Sequence, residues 1–478
     1  MNRRERRHEI RQHAKPPRVT KGSPELTSFP ADRVLSPRWI LPIILGIYFC
    51  LTAALIAQVP LGDAPDESAH LDYVEYIATN IQLPVFLNTP APHYGYEFHQ
   101  PPLYYVACAP LWKVAVATIG KVAAGYVCRL VSLLCGVLTL WLLWHSIRIM
   151  FPDDAVLAPL ATGFAALWPL HQGVGAAAGN DALAGLICAA IFWSMARLSF
   201  ESRENVRRDA MLIGIFFGLG MLTKSSCLAV GFAGGAATWH LSKRARNTKS
   251  AFQNSFVAVA IALLICGAWL TRNQILYGDP LAAKAFDIAF KQSSPRPQTV
   301  MAAMHVNLLE YIRAFFVVLF ATCWGFFGGP NLAITALNPF GKPVTPDVAA
   351  VQANETLKAL PMMLACATAT VLAAWGFVKW GFAALRAKRG WDPRRIALLW
   401  WGVGLLLIFA VLAKFNLSYF QAQARYLHPA LLPMALIFAL GWRQLFITRR
   451  ALMIFSGLFG AVLLLITLWN IVVWKTLV

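Results

Sequence analysis

The chain has 478 residues, of which 58% are hydrophobic and only 13% charged. A water-soluble fold cannot hide that much apolar surface, so the composition excludes an ordinary soluble domain. Lys and Arg number 42 against 22 Asp and Glu, a net charge of +20, but the basic residues fall in short runs between apolar segments, which marks membrane topology and argues against a nucleic-acid partner.

In chain order, the opening MNRRERRHEIRQHAKPPRVTKG is too polar for a cleavable secretory signal, and residues 1–38 read as a basic cytoplasmic tail. Spanning helices are predicted over about 39–58, 122–149, 155–174, 180–199, 252–271, 361–382, 396–413, 429–446 and 451–474. The stretch 210–241 is apolar except for Lys224 near its middle. Two short helices turning at Thr223-Lys224-Ser225 avoid burying that ammonium at mid-membrane. Two more apolar stretches, 101–120 and 308–327, are ambiguous. Laying both along the membrane surface keeps the basic runs Arg203–Arg208, Lys243–Lys249, Arg386–Arg395 and Arg443–Arg450 in the cytoplasm.

These choices predict an all-α polytopic membrane protein of about 11 transmembrane helices, N-terminus inside and C-terminus outside. Its expected divisions are a seven-helix module over 39–272 with a first external loop 59–121, a second long external loop 273–360 with its own interfacial helix, and a four-helix module over 361–478. Loops that long usually have work to do. The nine cysteines lie almost all in apolar stretches without a CxxC pair and read as small buried apolar residues.

The first loop opens Gly62-Asp63-Ala64-Pro65-Asp66-Glu67-Ser68-Ala69-His70-Leu71-Asp72-Tyr73, a helix start with Pro early and acids in the first turn. On that helix Asp66, His70 and Tyr73 share a face. Asp66, with Glu67 beside it, suits a general base for an acceptor hydroxyl. The structural alternative is that the acids only complement the helix dipole. Next comes Tyr94-Gly95-Tyr96-Glu97-Phe98-His99-Gln100-Pro101-Pro102-Leu103-Tyr104-Tyr105, an aromatic and polar cluster that reads either as an interfacial belt or as a sugar-binding surface in which Glu97, His99, Gln100 and Tyr104 contact substrate.

Gly179-Asn180-Asp181 brings a second carboxylate to an external turn, or simply caps a helix. Lys224, Arg272 and Arg425, the last followed by Tyr426, are cations on the non-cytoplasmic side, where they oppose the positive-inside bias. Snorkelling explains each singly; together they fit a site that holds a phosphate. The pair Gly214 and Gly218 has GxxxG spacing, which lets helices pack closely. Two glycosylation-acceptor patterns, Asn354-Glu355-Thr356 and Asn416-Leu417-Ser418, are common by chance. With no Gly-rich phosphate loop, HExxH or nucleophile elbow in the sequence, coupling to a nucleotide is not indicated.

The order of these motifs, from Asp66-Glu67 with His70, through His99 to Tyr105, Asn180-Asp181, Thr223-Lys224, Trp269 to Asn273 with Tyr277 to Pro280, and Arg425-Tyr426, resembles the C-type-fold membrane glycosyltransferases, most closely a bacterial branch of predicted membrane proteins. The resemblance covers about residues 39–440 and implies an inverting transfer of sugar from a polyprenyl-phosphate donor to a glycan, lipid or protein acceptor on the non-cytoplasmic face. It also implies that Asp66 takes the place of the family's base, that Asp181 matches an acid of its second external loop, and that Lys224 matches a lysine in a similar threonine-lysine turn. Gln100 stands where the aminoarabinose-transferring relatives carry a lysine, and Arg272 and Arg425 are expected to compensate. No cofactor is required on this reading; Asp66, Glu67 and Asp181 are the hard ligands a divalent metal would use. The rival readings are a transporter or flippase, which predicts internal repeats around a midplane site, and a non-catalytic component of envelope polysaccharide assembly.

Overall fold

The computed structural model describes residues 38–87, 94–200, 205–291, 296–325, 346–386, 392–446 and 448–476; the predicted cytoplasmic tail lies outside them. Every regular element among these residues is helical. Among the described residues eight helices are long and apolar enough to cross a membrane: α1 (Ile40–Gln58), α4 (Lys121–Met150), α7 (Asn180–Phe200), α10 (Thr248–Tyr277), the Ala359–Arg386 part of α14 (Pro346–Arg386), α15 (Pro393–Asn416), the span Ala424–Leu445 made of a 3-10 turn and α16 (Leu431–Leu445), and α17 (Arg449–Thr476). The protein is therefore a multi-pass membrane protein.

The expected count of 11 included one span over 155–174 and two over 210–241 that are not long single helices. The first is broken at Trp168 into α5 (Leu157–Leu167) and α6 (Pro169–Ala176). Pro169 is the cause, since proline restricts the residue before it to extended backbone, and Trp168 has φ −70° and ψ 115°. The second is α8 (Val206–Met221) and α9 (Cys227–Ala245), joined by a turn that carries Lys224 as anticipated. Gly214 and Gly218 let α8 press directly on α10: a Cβ at either would run into the backbone of Ala258 or Ala262.

The expected surface segments form α3 (Leu103–Ile119) and α13 (Leu308–Cys323). Val106, Leu111, Val114 and Ile119 are exposed along α3, an apolar face suited to lipid. Helix α13 follows α12 (Pro297–Met304) after a 105° bend. Between α1 and α3 lies α2 (Glu67–Asn80), packed on α3, and α11 (Ala283–Ala289) adds Ala285 and Ala289 to the same cluster of buried apolar side chains. The first loop is thus a compact cap over the ends of the spans. Asn354 of the glycosylation-acceptor pattern falls where side chains lie outside the described structure.

Candidate active site

The cap is locked by a buried ion pair. Arg129, fully buried in α4, donates from Nε and Nη2 to the two Glu67 carboxylate oxygens at 2.7 and 2.6 Å, and also to the carbonyls of Ile56, Val59 and Pro60. Glu67 in turn accepts from the amides of Gly62 and Ala178, both at 2.8 Å. Its oxygens are used up on protein donors and its side chain has no exposed surface. Expected as a second base, Glu67 is instead a structural ligand of Arg129. Sequence reasoning passed over Arg129, although an ionisable residue inside a predicted span is a signal in itself.

Asp66 differs completely from its neighbour. It sits ahead of α2 in left-handed backbone, φ 63°, a conformation uncommon for a side-chain-bearing residue. Its carboxylate is turned away from the helix amides and makes no capping bond, so it does not serve as a helix cap. Oδ2 accepts from Arg425 Nη2 at 2.5 Å, and Oδ1 accepts a long bond of 3.4 Å from the Tyr96 hydroxyl. Arg425, in the 3-10 turn Ala424–Ala430, also donates to Pro65 O at 3.2 Å and stands 3.9 Å from Asp181 Oδ2. Asp181, in the first turn of α7, accepts from Lys224 Nζ at 2.5 Å. The Lys224 ammonium lies 5.5 Å over the Tyr426 ring, and the Tyr426 hydroxyl donates to Gln421.

Two carboxylates and two cations from four separate segments therefore alternate in one partly exposed cluster, Asp66, Arg425, Asp181, Lys224. Asn180 frames it, donating to Gln100 Oε1 at 3.2 Å and to Thr223 O at 3.1 Å. A backbone bond from Leu103 N to Leu222 O, 2.8 Å, ties the start of α3 to the Lys224 turn. His70 packs against Gly179, where a Cβ would come within 3.0 Å of its ring, and its Nδ1 is 2.9 Å from the Tyr105 hydroxyl. Glu97 is buried beside the cluster, and one of its oxygens, Oε2, has no hydrogen-bond partner.

The electrostatics follow from burial and these neighbours. Burial alone would raise the Asp66 carboxyl, but Arg425, then His70 and Lys224, override it and hold the group below the ordinary carboxylate value. Burial depresses the His70 imidazole against the pull of Glu97 and Asp66, and raises the Glu97 carboxyl. Burial also takes His99 down to about 4. His99 is thus neutral at neutral pH, with Nδ1–H donating to Tyr96 O at 2.9 Å and Nε2 accepting from the Gln100 amide at 3.3 Å.

Other expected site residues lie elsewhere. Tyr73 is fully buried, stacked on Tyr105 at 3.9 Å between centroids, with its hydroxyl on Gln100 O. Tyr104 is equally buried, donating to Cys128 O and within 3.1 Å of Ser132 Oγ. Both are packing residues. Asp63 is on an exposed turn closed by its amide to Pro60 O. Arg272 was expected to help hold a phosphate with Lys224 and Arg425; its Nη2 instead donates to Pro84 O at 2.6 Å. Helix α10 continues past it to Tyr277, and that phase aims the guanidinium at the 84–87 segment. Of the three acids a divalent metal would use, Glu67 faces Arg129 while Asp66 and Asp181 face cations, and among the described residues no group of three or more His, Cys, Asp or Glu side chains is arranged to hold a metal ion.

The architecture is the C-type fold of polytopic membrane glycosyltransferases. Residues 108–271 match the sequence pattern of the family described as dolichyl-phosphate-mannose-protein mannosyltransferase. The oligosaccharyltransferase of Archaeoglobus fulgidus, solved in complex with Zn and sulfate, aligns at a TM-score of 0.53 and 16% identity over 90% of this chain and 52% of that one. Its apo form aligns at 0.51 and 13% identity over 92% and 56%. ArnT from Cupriavidus metallidurans, solved bound to undecaprenyl phosphate, aligns at 0.49 and 14% identity over 85% and 60%. The chain thus spans only about half to three-fifths of the length of these solved proteins. No curated protein matches its sequence.

Proposed function

We propose that the protein is an inverting glycosyltransferase that moves a sugar from a polyprenyl-phosphate donor to an acceptor hydroxyl at the non-cytoplasmic face of the membrane. The observation that carries this reading is the convergence of Asp66, Asp181, Lys224 and Arg425. Support comes also from the fold and from the family pattern matched over 108–271, whose description names a lipid-phosphate sugar as donor.

In this mechanism the donor phosphate draws Arg425 and Lys224 off their carboxylates. Arg425 keeps a buried Nε donor without a partner, and a bidentate guanidinium grip on phosphate is stronger than a single charged contact. Once Arg425 turns to phosphate, Asp66 loses the leading influence that keeps its pKa low, and its basicity rises where the acceptor must bind. The acceptor oxygen then attacks the anomeric carbon from the face opposite the phosphate. A new carbon–oxygen bond forms, the anomeric carbon–phosphate oxygen bond breaks, the hydroxyl proton passes to Asp66, and the lipid phosphate leaves held by Lys224 and Arg425. Electrostatic stabilisation of that anion is worth several kcal/mol in a water-poor site, and no nucleotide or metal step is invoked.

The test is Asp66→Asn in full-length protein reconstituted in lipid, with folding checked by thermal unfolding and turnover measured on purified polyprenyl-phosphate sugars. Loss of a general base costs roughly 10²–10⁴ in rate. Undiminished turnover in a folded variant refutes the assignment.

A further inference from the structure

One cavity outside the charge cluster is not absorbed by this mechanism. In the first loop is a cleft of about 310 Å³ lined by Tyr76, Tyr94 and Phe98 together with Pro84, Val85 and Leu87. The rings are arranged against each other, Tyr76 and Tyr94 lying 5.2 and 5.7 Å from Phe98 between centroids. Gly95 makes this possible: it takes φ 72°, and a Cβ there would come within 2.5 Å of the Phe98 ring. The opposite wall is pinned by two side chains of α10, Arg272 through Pro84 O at 2.6 Å and Tyr277, whose hydroxyl accepts from Phe86 N at 2.8 Å. The motif from Trp269 to Pro280 thereby gains a role, as the support of a binding cleft.

The cleft and the charge cluster share one turn. Over residues 94–98, Tyr94 and Phe98 face the cleft while Tyr96 reaches Asp66. Acids stand behind the lining: the Asp72 carboxylate is hydrogen-bonded by the backbone of Gly95, which lines the cleft, and Glu75, one turn on, pairs with Lys121 at 2.8 Å. Aromatic faces with carboxylates at their margin match a sugar ring, which offers C–H faces to the aromatics and hydroxyl donors to the acids. An isoprenoid tail has no donors to give a carboxylate and would leave it desolvated without return.

We propose that this cleft is a subsite for a pyranose ring of the acceptor, seated on the exposed Tyr94 ring, which the buried Phe98 backs, with hydroxyls toward Asp72; the assignment rests on the transferase reading above. It makes the acceptor a glycan, and places a sugar unit of it across the 94–98 turn from the attacked centre.

The experiment uses full-length protein in lipid nanodiscs. Saturation-transfer NMR measures binding of the methyl glycosides of glucose, galactose, mannose and N-acetylglucosamine, with farnesyl phosphate as isoprenoid competitor. At least one glycoside binds the unaltered protein, and Tyr94→Ala, a change at an exposed ring, weakens it about tenfold, the loss of one aromatic face; Asp72→Asn alters which glycoside is preferred. Absence of glycoside binding, unchanged binding in both variants, or displacement of the glycoside by farnesyl phosphate overturns the proposal. The two readings fail separately: a fully active Asp66→Asn protein ends the transferase assignment, whereas a dead Asp66→Asn protein with no glycoside signal ends only the subsite.

Discussion

Replacing Arg129 by Ala tests the claim that Glu67 is structural and Asp66 is not. Arg129 has no exposed surface and donates to both Glu67 oxygens and to three carbonyls, those of Ile56, Val59 and Pro60. Removing one partner of a buried ion pair costs about 3–5 kcal/mol, because the other charge stays behind in low dielectric. Each stranded carbonyl adds up to roughly 1–3 kcal/mol, less whatever water enters the space. Against a typical total stability of about 5–15 kcal/mol, that is enough to loosen the first loop, since the Glu67 carboxylate hydrogen-bonds α2 to Ala178 ahead of α7. Hydrogen exchange read by mass spectrometry on protein in detergent or nanodiscs should therefore show peptides over residues 60–80 losing protection while α7 and α10 keep theirs. Glu67→Gln, which keeps shape and part of the hydrogen bonding, should cost less than Arg129→Ala. The reasoning is refuted if Arg129→Ala exchanges like the unaltered protein over 60–80.

Lys224→Ala removes the ammonium that pairs with Asp181 and should weaken polyprenyl-phosphate binding about 10–100-fold by isothermal titration, the equivalent of roughly 1.5–3 kcal/mol for a hydrogen bond to a charged group; unchanged affinity removes Lys224 from the clamp. Asp66 is held below its ordinary value, so its stabilising ion pair is fully present above about pH 4 and is lost as pH falls through the lowered pKa. The acid limb of kcat/KM, which reports the free enzyme, should accordingly lie below the usual carboxylate range, and Arg425→Ala should move it upward, as read from a pH–rate profile; a limb that stays put rules out the coupling. Gly136→Ala would drive a methyl into the Tyr48 hydroxyl and should destabilise the fold by about 1–3 kcal/mol, measured by thermal unfolding; a neutral result contradicts the packing described.

Much of the architecture is legible in the residue order because lipid imposes a length rule. The long apolar runs become α1, α4, α7, α10, α15 and α17, and Lys224 falls in the turn that its charge demands. The break at Trp168 was readable too, from Pro169, but hydropathy summed over 155–174 outvoted it. For the site, residue type and predicted membrane side pointed to Asp66, Asp181, Lys224 and Arg425, which the fold brings together, and equally to Asp63, Tyr73, Tyr104 and Arg272, which it does not. Separating Asp66 from Glu67 required tertiary information: two adjacent acids look alike until an arginine 62 residues away claims one of them. Arg272 was misjudged for a related reason. Its side of the membrane could be inferred, but where its guanidinium points depends on α10 running on to Tyr277.

The charge cluster draws Asp66 from the start of the chain, Asp181 and Lys224 from its middle and Arg425 from close to its end. A ribosome that stalls after the first seven helices leaves Asp66 without Arg425, its only side-chain cation partner within 4.0 Å among the described residues. The charge cluster is therefore incomplete until residue 425 has been made, and truncations that spare every earlier helix but remove that residue abolish the cluster outright.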